Sequence, residues 1–112
     1  MKLLRRSAAK ERRVVATYGL APGDWEKLFV AQGGKCWICR RYKAKAVDHD
    51  HSCCSGKTSC GRCVRGLLCG TCNGILGRWR DAVEVLLRAV EYLRDPPARR
   101  ILGLPPLENG AL

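Results

Sequence analysis

Two pairs of cysteines with the same internal spacing constrain this chain more than any other feature. The first pair is Cys36 and Cys39, and the second is Cys69 and Cys72, so that each pair reads Cys-x-x-Cys. Each such turn offers two sulfurs to one ion, and two turns complete the tetrahedral coordination that Zn²⁺ prefers. The spacing therefore predicts one structural zinc site that ties two distant parts of the chain together.

The segment between these pairs carries residues suited to catalysis. Asp48, His49, Asp50 and His51 follow one another, and Asn73 comes directly after the last cysteine. An imidazole accepts protons near neutral pH. Carboxylate and carboxamide oxygens are the ligands that hard cations such as Mg²⁺ select. This combination is typical of a metal-dependent phosphodiesterase.

Four stretches of the chain carry a family resemblance. They are YGLAPGDWEKLFVAQGGKC, CWIC, VDHDH and VRGLLCGTCN. Together, over about residues 17–94, they resemble the recombination endonuclease VII family of phage nucleases in the ββα-metal (His-Me finger) superfamily. The resemblance implies a small α+β finger stabilised by zinc. It also implies a Mg²⁺-dependent endonuclease acting on DNA, with branched or junction DNA as a candidate substrate.

The resemblance further implies roles for individual residues. Asp48 and Asn73 would hold one Mg²⁺ through oxygen atoms, and His49 would take the proton from the attacking water. His51 would orient the phosphate, and Arg65 would contact a neighbouring phosphate. These four site residues, Asp48, His49, His51 and Asn73, are the predicted catalytic set.

One position departs from the family pattern, and simpler roles also exist. The best-known members have an acidic residue three positions after the Asn, where this chain has Leu76. Either a third acidic ligand is missing, or Glu84 replaces it. Asp48 could instead cap a turn, Asn73 could cap its helix, and either histidine could bind zinc.

A second class of function fits part of the pattern. In a non-catalytic zinc module that binds nucleic acid, the Asp-His-Asp-His segment would be incidental. We favour the nuclease because a binding module does not require Asp48, His49 and Asn73 to converge. A thioredoxin-like dithiol enzyme fits less well, since the βαβ pattern that it needs is missing.

Four further cysteines lie in the stretch that joins the two predicted strands. They are Cys53, Cys54, Cys60 and Cys63. We predict that they bind a second structural zinc, with His51 as a substitute for one of them. Free thiols or a disulfide are the alternatives.

Charge indicates the partner. The 112 residues include 21 Lys and Arg against 10 Asp and Glu, which gives a net charge of +11. The excess is clustered in residues 2–13 and in an acid-free run of Lys35, Arg40, Arg41, Lys43 and Lys45. Such clustering favours a polyanion, and DNA is the expected partner. A solvated basic arm is the alternative for residues 1–6.

The compartment follows from the cysteines and the first residues. Eight cysteines would also suit a secreted disulfide scaffold. Residues 1–10, however, are basic with only a two-leucine apolar run, which does not make a signal peptide. No apolar stretch is long enough to span a bilayer. We therefore expect a cytoplasmic protein, phage-encoded or bacterial, that contacts no membrane and is a monomer or weak homodimer.

Three segments are expected along the chain. Residues 1–16 form a basic arm or helix, residues 17–95 the finger domain and residues 96–112 a loosely ordered tail. Spacing and turn signals predict the elements within them. The expected elements are helices over residues 5–18, 24–32 and 70–76 and strands over residues 44–49 and 63–68.

Two details of this arrangement are specific. A regular strand would turn Asp48 and His49 to opposite faces, so we expect the strand to end or bulge there. A last amphipathic helix should start with Asp81 as its N-cap and stop before Pro96. The apolar stripe of this helix, which we expect to cover the finger, is Trp79, Val83, Leu86, Val90 and Leu93.

Overall fold

The computed structural model describes residues 8–105, which form an α+β structure. The predicted fold class is confirmed, and each expected helix and strand is present within about two residues. Residues 5–7 of the first predicted helix lie outside the described residues. In chain order the elements are α1 (Ala8–Tyr18), α2 (Asp24–Ala31), β1 (Ala46–His49), β2 (Val64–Leu68), α3 (Gly70–Arg78), α4 (Val83–Arg94) and α5 (Pro97–Ile101).

The two strands pair antiparallel and contain one irregularity. Asp48 lies opposite Gly66, but the next residue, His49, lies opposite Val64. Arg65 is therefore an extra residue on β2, which makes this position a β-bulge. Strand β1 also ends at His49. The predicted break in the strand is confirmed, and the extra residue lies on the partner strand.

The core of the first compact unit, which ends at Ile75, lies between the helices and the strand pair. Its buried residues are Val14, Leu20, Ala44, Val47 and Leu67. Partly buried side chains pack against them, namely Tyr18, Trp25, Leu28, Phe29 and Val64. Trp25 and Phe29 stack with ring centroids 5.0 Å apart. Helix α2 therefore contributes side chains to the core.

Helix α2 ends where its glycines predict and then supports β2. Gly33 and Gly34 both have positive φ, and the Gly34 N–H donates to the Phe29 carbonyl over 2.8 Å. Glycine adopts this left-handed stop without the steric cost of a side chain. Gln32 follows the helix and pairs with Leu67 as a strand residue would, because its amide both donates to and accepts from the Leu67 backbone.

The start of α2 has no side-chain cap of its own. Pro22 precedes the helix, and its N-cap is Gly23 at φ 88°, with no side-chain cap. The Gly23 N–H instead donates to the Glu11 carboxylate of α1 over 2.7 Å. A carboxylate of α1 therefore satisfies the N–H of the N-cap residue, a group that the Glu or Gln of a capping box satisfies in other helices.

Residues from Leu76 onward form the second compact unit. The prediction of Asp81 as N-cap is wrong, because Ala82 occupies that position. Asp81 has φ 57°, and its N–H donates to the Leu76 carbonyl over 2.9 Å. Asp81 is thus used to end α3 and lacks the extended backbone that an N-cap needs. Trp79 accordingly lies before α4.

Helix α4 spans three turns and keeps an exposed apolar stripe within its own unit. Val83, Val90 and Leu93 are exposed, and Leu86 is half-buried. The expectation that this stripe covers the finger stays a prediction. Helix α5 lies in the segment expected to be loosely ordered, and it begins at Pro97, whose fixed φ suits a first helical turn.

None of the helices within residues 8–105 is both long enough and apolar enough to cross a bilayer.

Candidate functional site

The first cysteine group is assembled as the spacing predicted. Cys36 and Cys39 come from the turn after α2, Cys69 follows β2, and Cys72 lies in the first turn of α3. Their four sulfurs all lie within 4.8 Å of one another. The Arg41 N–H points at the Cys39 sulfur over 3.4 Å. Four sulfurs at this separation could hold one zinc ion.

The thiols of this group differ in acidity. Burial opposes ionisation of Cys36, but backbone hydrogen bonds from Cys69, Cys39 and Ile38 outweigh it and lower its pKa to about 6. Burial and the neighbouring thiols raise the pKa of Cys72 to about 12. One sulfur therefore ionises readily and another holds its proton. A divalent cation that displaces this proton would make all four sulfurs ligands.

The second cysteine group is also present, and within the described residues it consists of four cysteines. The sulfurs of Cys53, Cys54, Cys60 and Cys63 lie within 4.8 Å of one another. His51 is not part of this group, so the arrangement in which it replaces a cysteine is not observed. This group, which is more exposed than the first, could also hold zinc.

Acidity in the second group is again uneven. A backbone hydrogen bond from Arg62 lowers the pKa of Cys60 to about 7. Hydrogen bonds with the Cys60 and Cys63 thiols raise the pKa of Cys53 to about 12. Each group thus contains one thiol with a lowered pKa and one with a raised pKa. Such a split is expected where several thiols lie close together and titrate as a coupled set.

The loop that carries the second group is attached to α1. The Ser59 N–H donates to the Thr17 carbonyl over 2.9 Å, and the Ser59 hydroxyl donates to the Tyr18 carbonyl over 2.7 Å. These bonds satisfy carbonyls at the C-terminal end of the helix, which lack partners within it. The connection between the strands is therefore anchored at a point beside the core.

Asp48 and His49 are the buried polar residues of the described protein. Their exposed fractions are 5% and 4%, although their neighbours His51 and Ser52 are exposed. Buried carboxylates need a compensating charge or donors. Arg65, the extra residue of the bulge, supplies both, since its Nε and Nη2 donate to the two Asp48 oxygens over 2.6 and 3.0 Å.

His49 has a different environment. Its Nδ1 is buried and has no hydrogen-bond partner within residues 8–105. The His51 ring lies beside it, with the two centroids 4.5 Å apart, and the Tyr18 ring lies 6.5 Å away. A buried nitrogen without a partner costs about 1–3 kcal/mol, so a group of this kind is usual at functional sites rather than in cores.

Asp50 has a local role. Its Oδ1 accepts hydrogen bonds from both the N–H and the hydroxyl of Ser52, over 2.9 and 2.7 Å. These two bonds lower the pKa of Asp50. With these contacts Asp50 acts as a turn carboxylate.

The remaining predicted residues lie on helices. Asn73 is half-buried in the first turn of α3, and its N–H donates to the Cys69 carbonyl over 3.0 Å. Leu76 begins the second compact unit, and Glu84 lies in the first turn of α4. The Asp48–Arg65 ion pair is the feature that sequence reasoning missed, although a basic residue directly before the Gly of a short strand was a usable signal.

Comparison with known proteins decides the family. A family model described as recombination endonuclease VII matches residues 11–95. This chain belongs to the recombination endonuclease VII family. The predicted resemblance over residues 17–94 is therefore confirmed, and membership implies a nuclease with DNA as its substrate.

Two phage proteins are similar to this member of the recombination endonuclease VII family. The Gene 59 protein of Mycobacterium phage D29 is 44% identical over 118 residues, which cover 99% of this chain and 67% of that protein. The Gene 59 protein of Mycobacterium phage L5 is 42% identical over 104 residues, which cover 88% of this chain and 58% of that protein. The chain thus spans about six-tenths to two-thirds of the length of these relatives.

Proposed function

We propose that the protein is a Mg²⁺-dependent DNA endonuclease that hydrolyses phosphodiester bonds, with branched or junction DNA as a candidate substrate. The observation that supports this most strongly is the burial of two consecutive polar residues, Asp48 and His49, at a bulge, with a histidine nitrogen that has no partner among residues 8–105. An ordinary core would not keep a carboxylate and an unpaired imidazole nitrogen together.

The residues present fit a hard cation. The Asp48 carboxylate is a hard oxygen ligand of the kind that Mg²⁺ takes, although Arg65 now pairs with both of its oxygens and would have to leave at least one of them for the cation. Asn73 would add its amide oxygen from the first turn of α3. When bound, Mg²⁺ would neutralise the charge that develops on the phosphate and on the leaving 3′ oxygen.

The chain's own residues would perform the other steps. His49, through the Nδ1 that has no partner in the described part of the chain, would accept the proton of the water that attacks phosphorus. His51, whose ring lies 4.5 Å from that of His49, would orient the phosphate. Arg65 would leave the Asp48 carboxylate and contact a phosphate oxygen, since guanidinium binds both groups in the same bidentate way.

The two cysteine groups would hold the site in shape. Zinc at Cys36, Cys39, Cys69 and Cys72 would fix the first turn of α3, and with it Asn73, to the end of β2. Zinc at the second group would fix the loop that leaves His51. In a chain with so small a core, metal binding supplies folding free energy as well as position.

The expected compartment follows from DNA as the ligand. DNA is the expected ligand of a chain with a net charge of +11, and the host cytoplasm is the compartment in which a phage protein of this family would meet it. We keep a monomer or weak homodimer as the expected state.

One contact favours the alternative function. The bidentate Asp48–Arg65 pair is also what a purely structural ion pair looks like. In that case the protein would be a zinc-binding module that binds nucleic acid without cutting it. The two functions make different demands on this ion pair. Only the nuclease requires Arg65 to separate from Asp48.

The test is incubation of purified protein with a supercoiled plasmid and with a four-way junction, each with and without Mg²⁺. The nuclease proposal expects nicked or linear products only when Mg²⁺ is present. DNA binding without any strand cleavage at millimolar Mg²⁺ would support the non-catalytic module instead.

A further inference from the structure

The turn that carries Cys36 and Cys39 exposes large side chains that a small protein would usually bury. Trp37 and Tyr42 have 56% and 58% of their surface exposed, and Ile38 is exposed as well. We use the term knuckle surface for the exposed side chains of this turn and the chain after it. Its members are Trp37, Ile38, Arg40, Arg41, Tyr42 and Lys43.

The exposure results from the geometry of the cysteine pair. The two cysteines turn their sulfurs towards the shared group, so the residues between them point away from it. The Cys36 N–H donates to the Tyr42 carbonyl over 2.8 Å, and Lys35 pairs with Lys43 across the same hairpin. Backbone hydrogen bonds thus close the loop that carries Trp37 and Tyr42. Little conformational entropy would be lost when a ligand binds these side chains.

The charge around these rings has one sign. Residues 27–47 contain no Asp or Glu, and within the described protein no ion pair forms with Arg40, Arg41 or Lys43. The Arg40 guanidinium carbon lies 5.1 Å from the centre of the Trp37 ring. Exposed aromatic rings beside Arg and Lys side chains without ion pairs are typical of sites that bind single-stranded nucleic acid. Nucleotide bases stack on the rings of such sites, and the phosphates contact the cations.

The knuckle surface begins close to the proposed catalytic residues. The Trp37 N–H donates to the Leu67 carbonyl over 3.3 Å, and Leu67 is next to Gly66, which lies opposite Asp48. Neighbouring strand residues are about 3.4 Å apart, so the backbone of the turn lies within a few residue spacings of the site. The turn therefore lies near enough to the proposed site for one DNA strand to contact both.

We propose that the knuckle surface binds unpaired nucleotides of a DNA strand, with bases stacked on Trp37 and Tyr42 and phosphates on Arg40, Arg41 and Lys43. The choice of DNA as the strand rests on the proposed function. The same-sign charge favours a polyanion over a second copy of this chain, which carries the same charge. An apolar protein partner would not require the basic side chains of this surface.

The experiment measures binding of a fluorescent oligothymidine and of a blunt duplex of equal length, in Mg²⁺-free buffer so that no cleavage occurs. Trp37→Ala and Tyr42→Ala are compared with Trp79→Ala and Tyr92→Ala, which remove exposed rings of the same kind in the second unit. Loss of the stacking of one nucleotide base lowers affinity about 5- to 150-fold. We expect this loss of oligothymidine affinity in Trp37→Ala and Tyr42→Ala. Their affinity for the duplex should change by less than about 2-fold. Trp37→Phe should bind oligothymidine about as well as the unmutated protein.

The outcomes separate the proposals. Equal loss of oligothymidine binding in Trp37→Ala and Trp79→Ala, or no loss in either Trp37→Ala or Tyr42→Ala, overturns the inference. Equal loss for single strand and duplex also overturns it. Should Trp37→Ala lose zinc, Tyr42→Ala decides alone. If the unmutated protein cuts no DNA but the selective loss is found, the inference stands and the nuclease proposal fails.

Discussion

Gly19 and Gly61 approach so closely that a side chain on either residue would collide with the other segment's backbone. A Cβ on Gly19 would lie 2.5 Å from the Cys60 carbonyl carbon and 2.7 Å from the Gly61 nitrogen. Both glycines also have positive φ, 71° and 89°. This contact, beside the Ser59 hydrogen bonds, places the loop with the second cysteine group against the turn after α1.

Gly61→Ala tests this docking. We expect the free energy of unfolding to fall by at least ~1–2 kcal/mol, which is the cost of the left-handed backbone alone, with the collision adding to it. The zinc content should fall as the loop loses its position. Gly56→Ala is the control, since nothing lies within 4 Å of a Cβ there. Thermal unfolding that is equal in the two variants would show that the loop is not held by this contact.

Zinc content tests both cysteine groups. Protein purified without oxidants should contain two zinc ions per chain, because each group brings four sulfurs within 4.8 Å. Cys60→Ser should contain one and stay folded, whereas Cys36→Ser should lose the finger's structure, since its group joins α3 to β2. Elemental analysis with circular dichroism measures both effects. One zinc in the unmutated protein, with the four loop thiols reacting freely, would rule out the second site.

Arg65→Gln tests whether the Asp48 carboxylate can exchange its partner for a cation. Without Mg²⁺ the variant should unfold at lower temperature, because a buried carboxylate loses charged hydrogen bonds worth about 1–3 kcal/mol, towards the lower end here since Arg65 is partly exposed. Added Mg²⁺ should then raise its Tm more than that of the unmutated protein. Arg62→Gln, an exposed neighbour, is the control. Equal Mg²⁺ shifts in all three proteins would argue that Asp48 binds no cation.

EDTA should separate the two kinds of metal. Cleavage should stop at once, because a Mg²⁺ site with few protein ligands exchanges quickly. Unfolding should follow slowly, as zinc leaves the cysteine groups. Circular dichroism and a plasmid assay on the same sample measure the two rates. A folded, EDTA-treated sample that regains no activity with Mg²⁺ would mean that the catalytic and structural metals are not distinct.

Much of the finger could be predicted from local sequence because its signals are local. The cysteine spacing located both groups, and Gly33 and Gly34 marked the end of α2. The bulge at Asp48 and His49 followed from a conflict between strand geometry and a shared site. That conflict did not reveal which strand carries the extra residue. The answer depends on the register between β1 and β2, which are far apart in sequence, and on the contact between Arg65 and Asp48.

The errors in the second unit also have a physical cause. Asp81 is a good N-cap residue, but the chain uses it in the left-handed stop of α3, so the cap moved to Ala82 and Trp79 fell outside α4. Two helices that follow each other closely compete for the same linking residues. Pro97 follows α4 closely and is also the first residue of α5.

Cleavage by His49→Ala is the most direct test of the central claim. The variant should lose ~10²–10⁴-fold in cleavage rate, since it lacks the proton acceptor, yet bind DNA with nearly unchanged affinity because phosphate contacts carry binding. Its zinc content and circular dichroism should match those of Asp50→Asn, a control that should cut normally because the Asp50 carboxylate accepts its hydrogen bonds from Ser52 of its own turn. A folded His49→Ala protein that cuts DNA at the full Mg²⁺-dependent rate would contradict the account.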